Sequence, residues 1–270
     1  MAAILRVATV NILNDRSRWD ERRPLLVANL RSCAADLIAL QEVTNPLGES
    51  TAHELASDLG GYSVHLAPQT GSGRRREGIA TLSRLPVEGH EVIDLQTQRR
   101  VAQVVHTWVG DRPVAFGNGH YYWHPGSDKA RVRQVKRVLD RLGELDPATA
   151  IIACGDFNGL PGSPAIATME RSLASAYRAC HGREPDFTCP TPLTSRHRLR
   201  GFLTRTLLRL GTNRSGESWR GTLDYIFVGP GVGVLDADVF LDQSAAADPT
   251  LYPSDHLGLW ATLDVAAQGP

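Results

Sequence analysis

Acidic, amide and imidazole side chains recur beside short apolar runs along this 270-residue chain: Asn11, Gln41-Glu42, Asn118-Gly119-His120, Gly155-Asp156-Phe157-Asn158, Asp224 and Ser254-Asp255-His256. A carboxylate at a buried strand end costs solvation free energy unless a metal ion or hydrogen bonds compensate. Each group has an ordinary explanation when taken singly. Glu42 could cap a turn, Asp156 and Asn158 could form an Asx turn, His120 and His256 could be satisfied core histidines, and Asp224 could pair with an arginine. Their repetition at strand ends argues for one convergent polar site, able to hold a cation and move a proton.

The runs that would carry these residues are strand-like at 6–13, 36–43, 62–66, 78–83, 101–109, 114–118, 150–155, 222–228 and 257–263. Many are apolar on both faces, as in a sheet covered on both sides. Gly110-Asp111-Arg112-Pro113 between two of them is hairpin chemistry, so the sheets are mixed. The spacing of Val135, Val138, Leu139, Leu142 and Leu145 predicts an amphipathic helix. Asp20 reads as the N-cap of a second helix, with Pro24 in its first turn and Leu26, Leu30 and Cys33 on one face. Residues 1–270 therefore read as one α/β domain with helices outside packed sheets, interrupted by a loop-rich, arginine-rich excursion at about 181–220.

Composition excludes several classes. With 42% hydrophobic and 21% charged residues the chain has the means to bury a core. Its 29 basic and 29 acidic residues balance, so any electrostatic recognition is local. No apolar stretch approaches the ~20 residues of a membrane span, and the polar interleaving of Arg6, Thr9 and Asn11 is unlike a secretory leader. The expected location is cytoplasmic, with no membrane and no obligate protein partner. Cys33, Cys154, Cys180 and Cys189 follow no zinc spacing and read as free thiols, with a Cys180–Cys189 pair as the alternative in an exported protein.

The order Asn11, Gln41-Glu42-Val43, Gly78-Ile79-Ala80 to Arg84-Leu85-Pro86, Asn118-Gly119-His120, Gly155-Asp156-Phe157-Asn158, Asp224-Tyr225-Ile226-Phe227 and Ser254-Asp255-His256 resembles the endonuclease/exonuclease/phosphatase superfamily over nearly the whole chain. The segments 118–134, 155–161 and 221–228 are most similar to the branch of Ccr4-type deadenylases, nocturnin and 2′-phosphodiesterases. The resemblance implies a four-layered αββα sandwich of two packed mixed sheets with outer helices, as in DNase I, together with Mg²⁺-dependent phosphoester hydrolysis. Two positions depart from the family pattern, Gly119 for Thr and Tyr121 for Leu. The first is expected to remove a hydroxyl near His120, and the second to add bulk at the cleft.

On this reading Glu42 is the primary ligand of Mg²⁺, for which Mn²⁺ can substitute, because Mg²⁺ takes oxygen donors from one or two carboxylates and a substrate phosphate. The resemblance adds a carbonyl oxygen from Asn11, and Asp255 reaches the ion directly or through water. No serine or cysteine lies in a nucleophilic motif, so water attacks. Asp156 orients and deprotonates the water, Asn158 holds water or phosphate, and His120 donates to the phosphate. His256 is the rival base or a charge-stabilising donor, with Asp224 as its orienting partner by resemblance. For the substrate, Arg196, Arg198 and Arg200 begin a stretch of seven arginines against one acid between 196 and 220, suited to phosphates or to a solvated loop. Trp123 could stack on a base or anchor a loop. The expected substrate is a phosphorylated small molecule or nucleotide, with nucleic acid open, and a phospholipid or sphingolipid phosphodiesterase or a non-catalytic binding protein as alternatives.

Overall fold

A strand presents alternate residues to opposite faces, and in this protein both faces of most strands are covered. The structure is a computed structural model that describes residues 3–45, 50–70, 76–124, 126, 128–193 and 219–266. Its strands are β1 (Ile4–Asn11), β2 (Leu37–Asn45), β3 (Ser63–Pro68), β4 (Arg76–Ser83), β5 (Gly89–Asp94), β6 (Val101–Val109), β7 (Arg112–His120), β8 (Ala150–Asp156), β9 (Ala174–Ser175), β10 (Asp224–Val228), β11 (Gly233–Phe240) and β12 (Gly258–Asp264). The helices are α1 (Trp19–Cys33), α2 (Thr51–Leu59), α3 (Asp128–Gly143), α4 (Pro164–Met169) and α5 (Ala176–His181).

The first sheet has the order β11-β12-β1-β2-β4-β3 and the second β5-β6-β7-β8-β10-β9. Both are mixed, because β1 and β2 run parallel, as do β7 and β8, while the neighbouring pairs are antiparallel. The β6–β7 hairpin turns through Gly110 and Asp111, with Gly110 at φ +59°. Alternation divides the apolar residues into three layers. Leu5, Val7, Leu37, Ala39, Phe116, Ile152, Ile226 and Leu259 meet between the sheets. Val10, Ile38 and Leu40 point the other way and pack under α1 and α2 with Leu26, Leu30 and Leu55. Ala115, Ala153, Phe157, Tyr225 and Phe227 pack with Val135, Val138 and Leu142 of α3 and with Ile166 of α4. The result is the expected four-layered αββα sandwich. Burying one side chain such as Phe116 or Leu37 stabilises it by about 1.5–3 kcal/mol.

Local differences from expectation have identifiable causes. Asp20 is not an N-cap: Asp15 caps a 3₁₀ turn at Arg16–Arg18, and α1 begins at Trp19 with Arg18 at its N-cap. Asp20 and Glu21 instead lie in the first helical turn, where the helix dipole favours acids. β5 and β11 occupy sheet edges, where half-exposed residues blur the apolar pattern. All four cysteines are free, so Cys180 and Cys189 are not paired. Among the described residues no helix is long and apolar enough to cross a membrane.

Candidate active site

The inward parity of the strands brings polar side chains together at one end of the inter-sheet layer. In β1, Leu5 and Val7 face inward and Asn11 ends the same series. Its amide nitrogen donates to Glu42 Oε1 at 3.3 Å and to Asp156 Oδ2 at 3.1 Å, tying the two sheets together. In β2, Leu37, Ala39 and Gln41 continue the inward series, so simple alternation would send Glu42 toward the helices. A bulge intervenes: the register against β4 shifts between Leu40 and Val43, and Glu42 adopts φ +57°. Bulges re-aim a side chain, and a non-glycine residue in the left-handed region carries a cost of about 1–3 kcal/mol, met by the surrounding structure. Glu42 thereby faces Asn11 and accepts from Asn14 N at 2.8 Å. Glu77, near the start of β4, joins it, held by Gln69 Nε2 at 2.9 Å, Asn14 Nδ2 at 3.4 Å and Arg100 Nη1.

From the second sheet, β7 ends on His120, β8 on Asp156 and β10 begins on Asp224, all on the inward parity of Phe116, Ile152 and Ile226. Arg100 Nη1 lies 2.8 Å from His120 Nδ1. A guanidinium only donates, so Nδ1 accepts and the ring proton sits on Nε2, 3.6 Å from Asp156 Oδ2. Asn158 is left-handed at φ +48°; its N–H donates to Asp156 Oδ1 at 2.9 Å and its side-chain amide to the Tyr121 carbonyl at 3.2 Å. His256, just before β12, places Nδ1 2.9 Å from Asp224 Oδ2 and Nε2 4.0 Å from Asp156 Oδ2. Thr188 Oγ1 donates to the same Asp224 oxygen at 2.6 Å, and the other oxygen, Oδ1, is buried with no hydrogen-bond partner among the described residues.

Burial sets the charges. It pushes the Asp156 carboxyl up to about 7, helped by Asp224 and opposed by His256 and by the hydrogen bonds from Asn158 and Asn11. Burial and then Glu42 raise Glu77, and burial also raises Asp255, with Glu42 adding to it against His256 and Arg22. The histidines diverge. Burial, Arg100 and His256 hold His120 well below its ordinary value. Burial works the same way on His256, but Cys189 and Asp224 outweigh it and lift that ring well above its ordinary value. Among the described residues two groups have ligand-capable atoms within 4.8 Å of one another: Glu42, Glu77 and His120, and Asp156, Asp224 and His256. In the first, His120 Nδ1 is engaged by Arg100, which leaves carboxylate oxygens that repel each other and could hold a divalent cation.

The structure thus brings Asn11, Glu42, His120, Asp156, Asn158, Asp224 and His256 into one network. Asn11 turns its NH₂ group toward the carboxylates, while its oxygen accepts from Leu13 N at 3.0 Å. Trp123 stands beyond this network, 42% exposed, with its backbone N–H held by Gln98 Oε1 at 3.1 Å. Arg196, Arg198 and Arg200 lie outside the described residues. Both expectations for the departures from the family pattern are corrected. Residue 119 points away from His120, to the helix side of β7, and Tyr121 is buried there, 1% exposed, against Phe157. Asp224 pairs with His256 rather than with an arginine. Two further members carry no distinct signal in the sequence: Glu77 stands one residue before an apolar run, and Arg100 reads as half of a solvated Arg-Arg turn. The same holds for Arg22, a buried side chain that donates to the carbonyls of Ile12, Leu13, Asp15 and Pro253 and so fixes the segments carrying Asn11 and Asp255.

Residues 8–256 match the model of the Endonuclease/Exonuclease/phosphatase family. The chain belongs to that family. Within it, the 2′,5′-phosphodiesterase 12 of Mus musculus is 23% identical over 197 residues, covering 68% of this chain and 31% of that protein. The chain therefore spans under a third of this relative's length. Among solved structures, the human nocturnin catalytic domain with bound sulfate superposes with a TM-score of 0.72 at 23% identity, covering 97% of this chain and 95% of that one. D. rerio TDP2 complexed with a single-strand DNA product gives a TM-score of 0.74 at 16% identity, covering 96% of this chain and 98% of that one. These likenesses agree with the αββα architecture and, in sequence, with the Ccr4/nocturnin branch of the family.

Proposed function

We propose that this protein is a Mg²⁺-dependent hydrolase that cleaves a phosphoester bond in a nucleotide or a short nucleic acid by attack of water. The observation that carries this reading is the meeting of carboxylates from both sheets around Asn11, with Glu42 and Glu77 on one side and Asp156 and Asp224 on the other. Glu42 would hold the ion, with Glu77 beside it and Asp255 reaching it directly or through water. The hard oxygen donors of these three residues, with the Glu77 and Asp255 carboxyls raised by burial, fit a divalent cation. When bound, Mg²⁺ supplies charge stabilisation for the phosphate oxygens and the leaving oxygen.

The chain's own residues divide the remaining work. Asp156, lifted toward neutrality by burial, takes the proton of the attacking water, since a base works best with a pKa near the operating pH. Asn158 holds Asp156 through its N–H and orients water or phosphate. His120 is neutral with its proton on Nε2, and it donates to a non-bridging phosphate oxygen. His256 favours the imidazolium, is aligned by Asp224, and faces the phosphate as a cationic donor rather than as a base. As the new P–O bond forms and the ester bond breaks, the negative charge migrates to the leaving oxygen, which takes its proton from His256 or solvent. The nucleotide assignment is supported by the exposed Trp123 indole three residues beyond His120 and by the sequence likeness to a 2′,5′-phosphodiesterase.

The test is a panel of 2′,5′- and 3′,5′-linked diadenylates, single-stranded oligonucleotides, nucleoside monophosphates and lipid headgroup phosphodiesters, each with Mg²⁺ and with excess chelator. Turnover of a nucleotide in Mg²⁺ alone is expected. Turnover confined to the lipid headgroups would replace the nucleotide reading.

A further inference from the structure

Directly behind the acid–base residues, on the helix side of the second sheet, lies a contiguous set of four aromatic rings. Tyr121 stacks on Phe157 with centroids 4.4 Å apart and planes 15° off parallel. Phe157 meets Tyr225 and Phe227 edge-on at 5.7 and 5.2 Å, and those two rings stack at 5.3 Å. Three of the rings are the immediate sequence neighbours of site residues: Tyr121 follows His120, Phe157 separates Asp156 from Asn158, and Tyr225 follows Asp224. Because strand parity alternates, a shift of the ring plate is transmitted to the opposite face, where the site residues stand. The backbone completes the coupling. Tyr121 N donates to the Asp156 carbonyl at 2.9 Å and the Tyr121 carbonyl accepts from Asn158 Nδ2 at 3.2 Å. The Tyr225 hydroxyl donates to the carbonyl of Gly159 at 2.9 Å.

Gly119 is the counterpart of this plate. A Cβ at position 119 would lie 2.5 to 2.8 Å from the Cε2, Cζ and hydroxyl of Tyr121, closer than any real contact, so the ring occupies the space that a side chain there would need. We propose that Tyr121, seated over Gly119 and stacked on Phe157, is a positioning residue that sets the spacing of His120, Asp156 and Asn158. It acts on their placement and touches neither substrate nor metal. The ring, and not the hydroxyl, performs this role, so phenylalanine suffices. Leucine in its place leaves a void over Gly119 and lets Phe157 move, and a β-branched side chain at 119 refills that void.

The kinetic arm of the test rests on the hydrolytic reading and uses bis(4-nitrophenyl) phosphate with Mg²⁺ on the full chain. Tyr121→Leu is expected to lower kcat about tenfold or more with KM and Mg²⁺ affinity within about twofold, since small misplacements of reacting groups cost rate rather than binding. Tyr121→Phe is expected to retain kcat, and Gly119→Val is expected to recover most of it in the Tyr121→Leu background while being harmful alone. A Tyr121→Leu protein with a lower Tm but an unchanged kcat overturns the proposal, as does a loss expressed in KM, or strict additivity of the two substitutions. The NMR signals of the His120 and His256 rings give a readout independent of turnover. They are expected to move in Tyr121→Leu and to stay in Tyr121→Phe. If the wild-type protein hydrolyses nothing, the hydrolytic reading fails while this ring test still decides the positioning claim, and unmoved rings in Tyr121→Leu reject it.

Discussion

At the scale of single residues, the site is a set of carboxyl groups that the two sheets bring to face one another. Glu42→Gln is expected to weaken Mg²⁺ binding, measured by calorimetry, with a Tm change of a few degrees at most, because a carboxylate facing a polar cleft leaves no cavity when replaced. Unfolding with intact metal affinity would make Glu42 a structural residue. Asp156 gives a pH prediction with a definite sign. Its folded pKa of about 7 lies above the unfolded value of ~3.9, so its contribution to stability is present at low pH and lost as the pH rises through about 7. His120 has the opposite sign: its folded pKa lies below the unfolded ~6.5, so the stability present above that pH is lost as the pH falls. Asp156→Asn should therefore raise the Tm of the metal-free protein at pH 8 more than at pH 5. An equal change at both would mean that the buried carboxyl is not strained. Most of these residues were legible from the sequence because they end apolar runs. Glu77, Arg100 and Arg22 were not, because a charge next to a run is indistinguishable in type from a solvated one, and only the pairing of distant strands shows where it points.

The placement of these groups is decided at the scale of elements. Parity alone assigns Asn11, His120, Asp156 and Asp224 to one face, since each continues an inward apolar series, and that much could be read from spacing. Glu42 could not be assigned this way, because its orientation comes from a bulge opposite β4 that no local pattern announces. The edge strands β5 and β11, and the short β9, escaped for the related reason that half-exposed or two-residue strands lack a clear period. The close approach of β7 and β8 supplies an element-scale prediction. Gly155 has φ +135°, and a Cβ there would collide with the carbonyl oxygen of Gly119. Gly155→Ala is therefore expected to destabilise the fold by about 2–4 kcal/mol, the range of buried overpacking combined with backbone strain, read as a lowered denaturation midpoint. A change under about 0.5 kcal/mol would show that the two strands can separate without cost.

For the whole molecule, charge balance and family membership bear on what can bind. The chain is neutral overall, so tight binding of a long nucleic acid would have to come from a local basic segment, of which the arginines between 196 and 220 are the candidates. If they follow a nucleic-acid backbone, affinity for single strands should fall with salt by about −0.7 per neutralised phosphate in a log–log plot. Replacing Arg196, Arg198 and Arg200 together by Gln should then flatten that slope. A short nucleotide substrate predicts a shallow slope that the triple substitution leaves alone, and this is the outcome the neutral chain favours. All of this depends on metal-assisted hydrolysis at the junction of the two sheets. The direct measurement is the rate of phosphodiester turnover by the purified chain as Mg²⁺ is titrated in and then removed with excess chelator, alongside Asp156→Asn. Turnover should saturate with Mg²⁺, vanish with chelator and fall at least a hundredfold, ~10²-fold being typical of a lost acid–base group, in Asp156→Asn; full turnover in chelator, or an Asp156→Asn rate equal to wild type, would contradict the account.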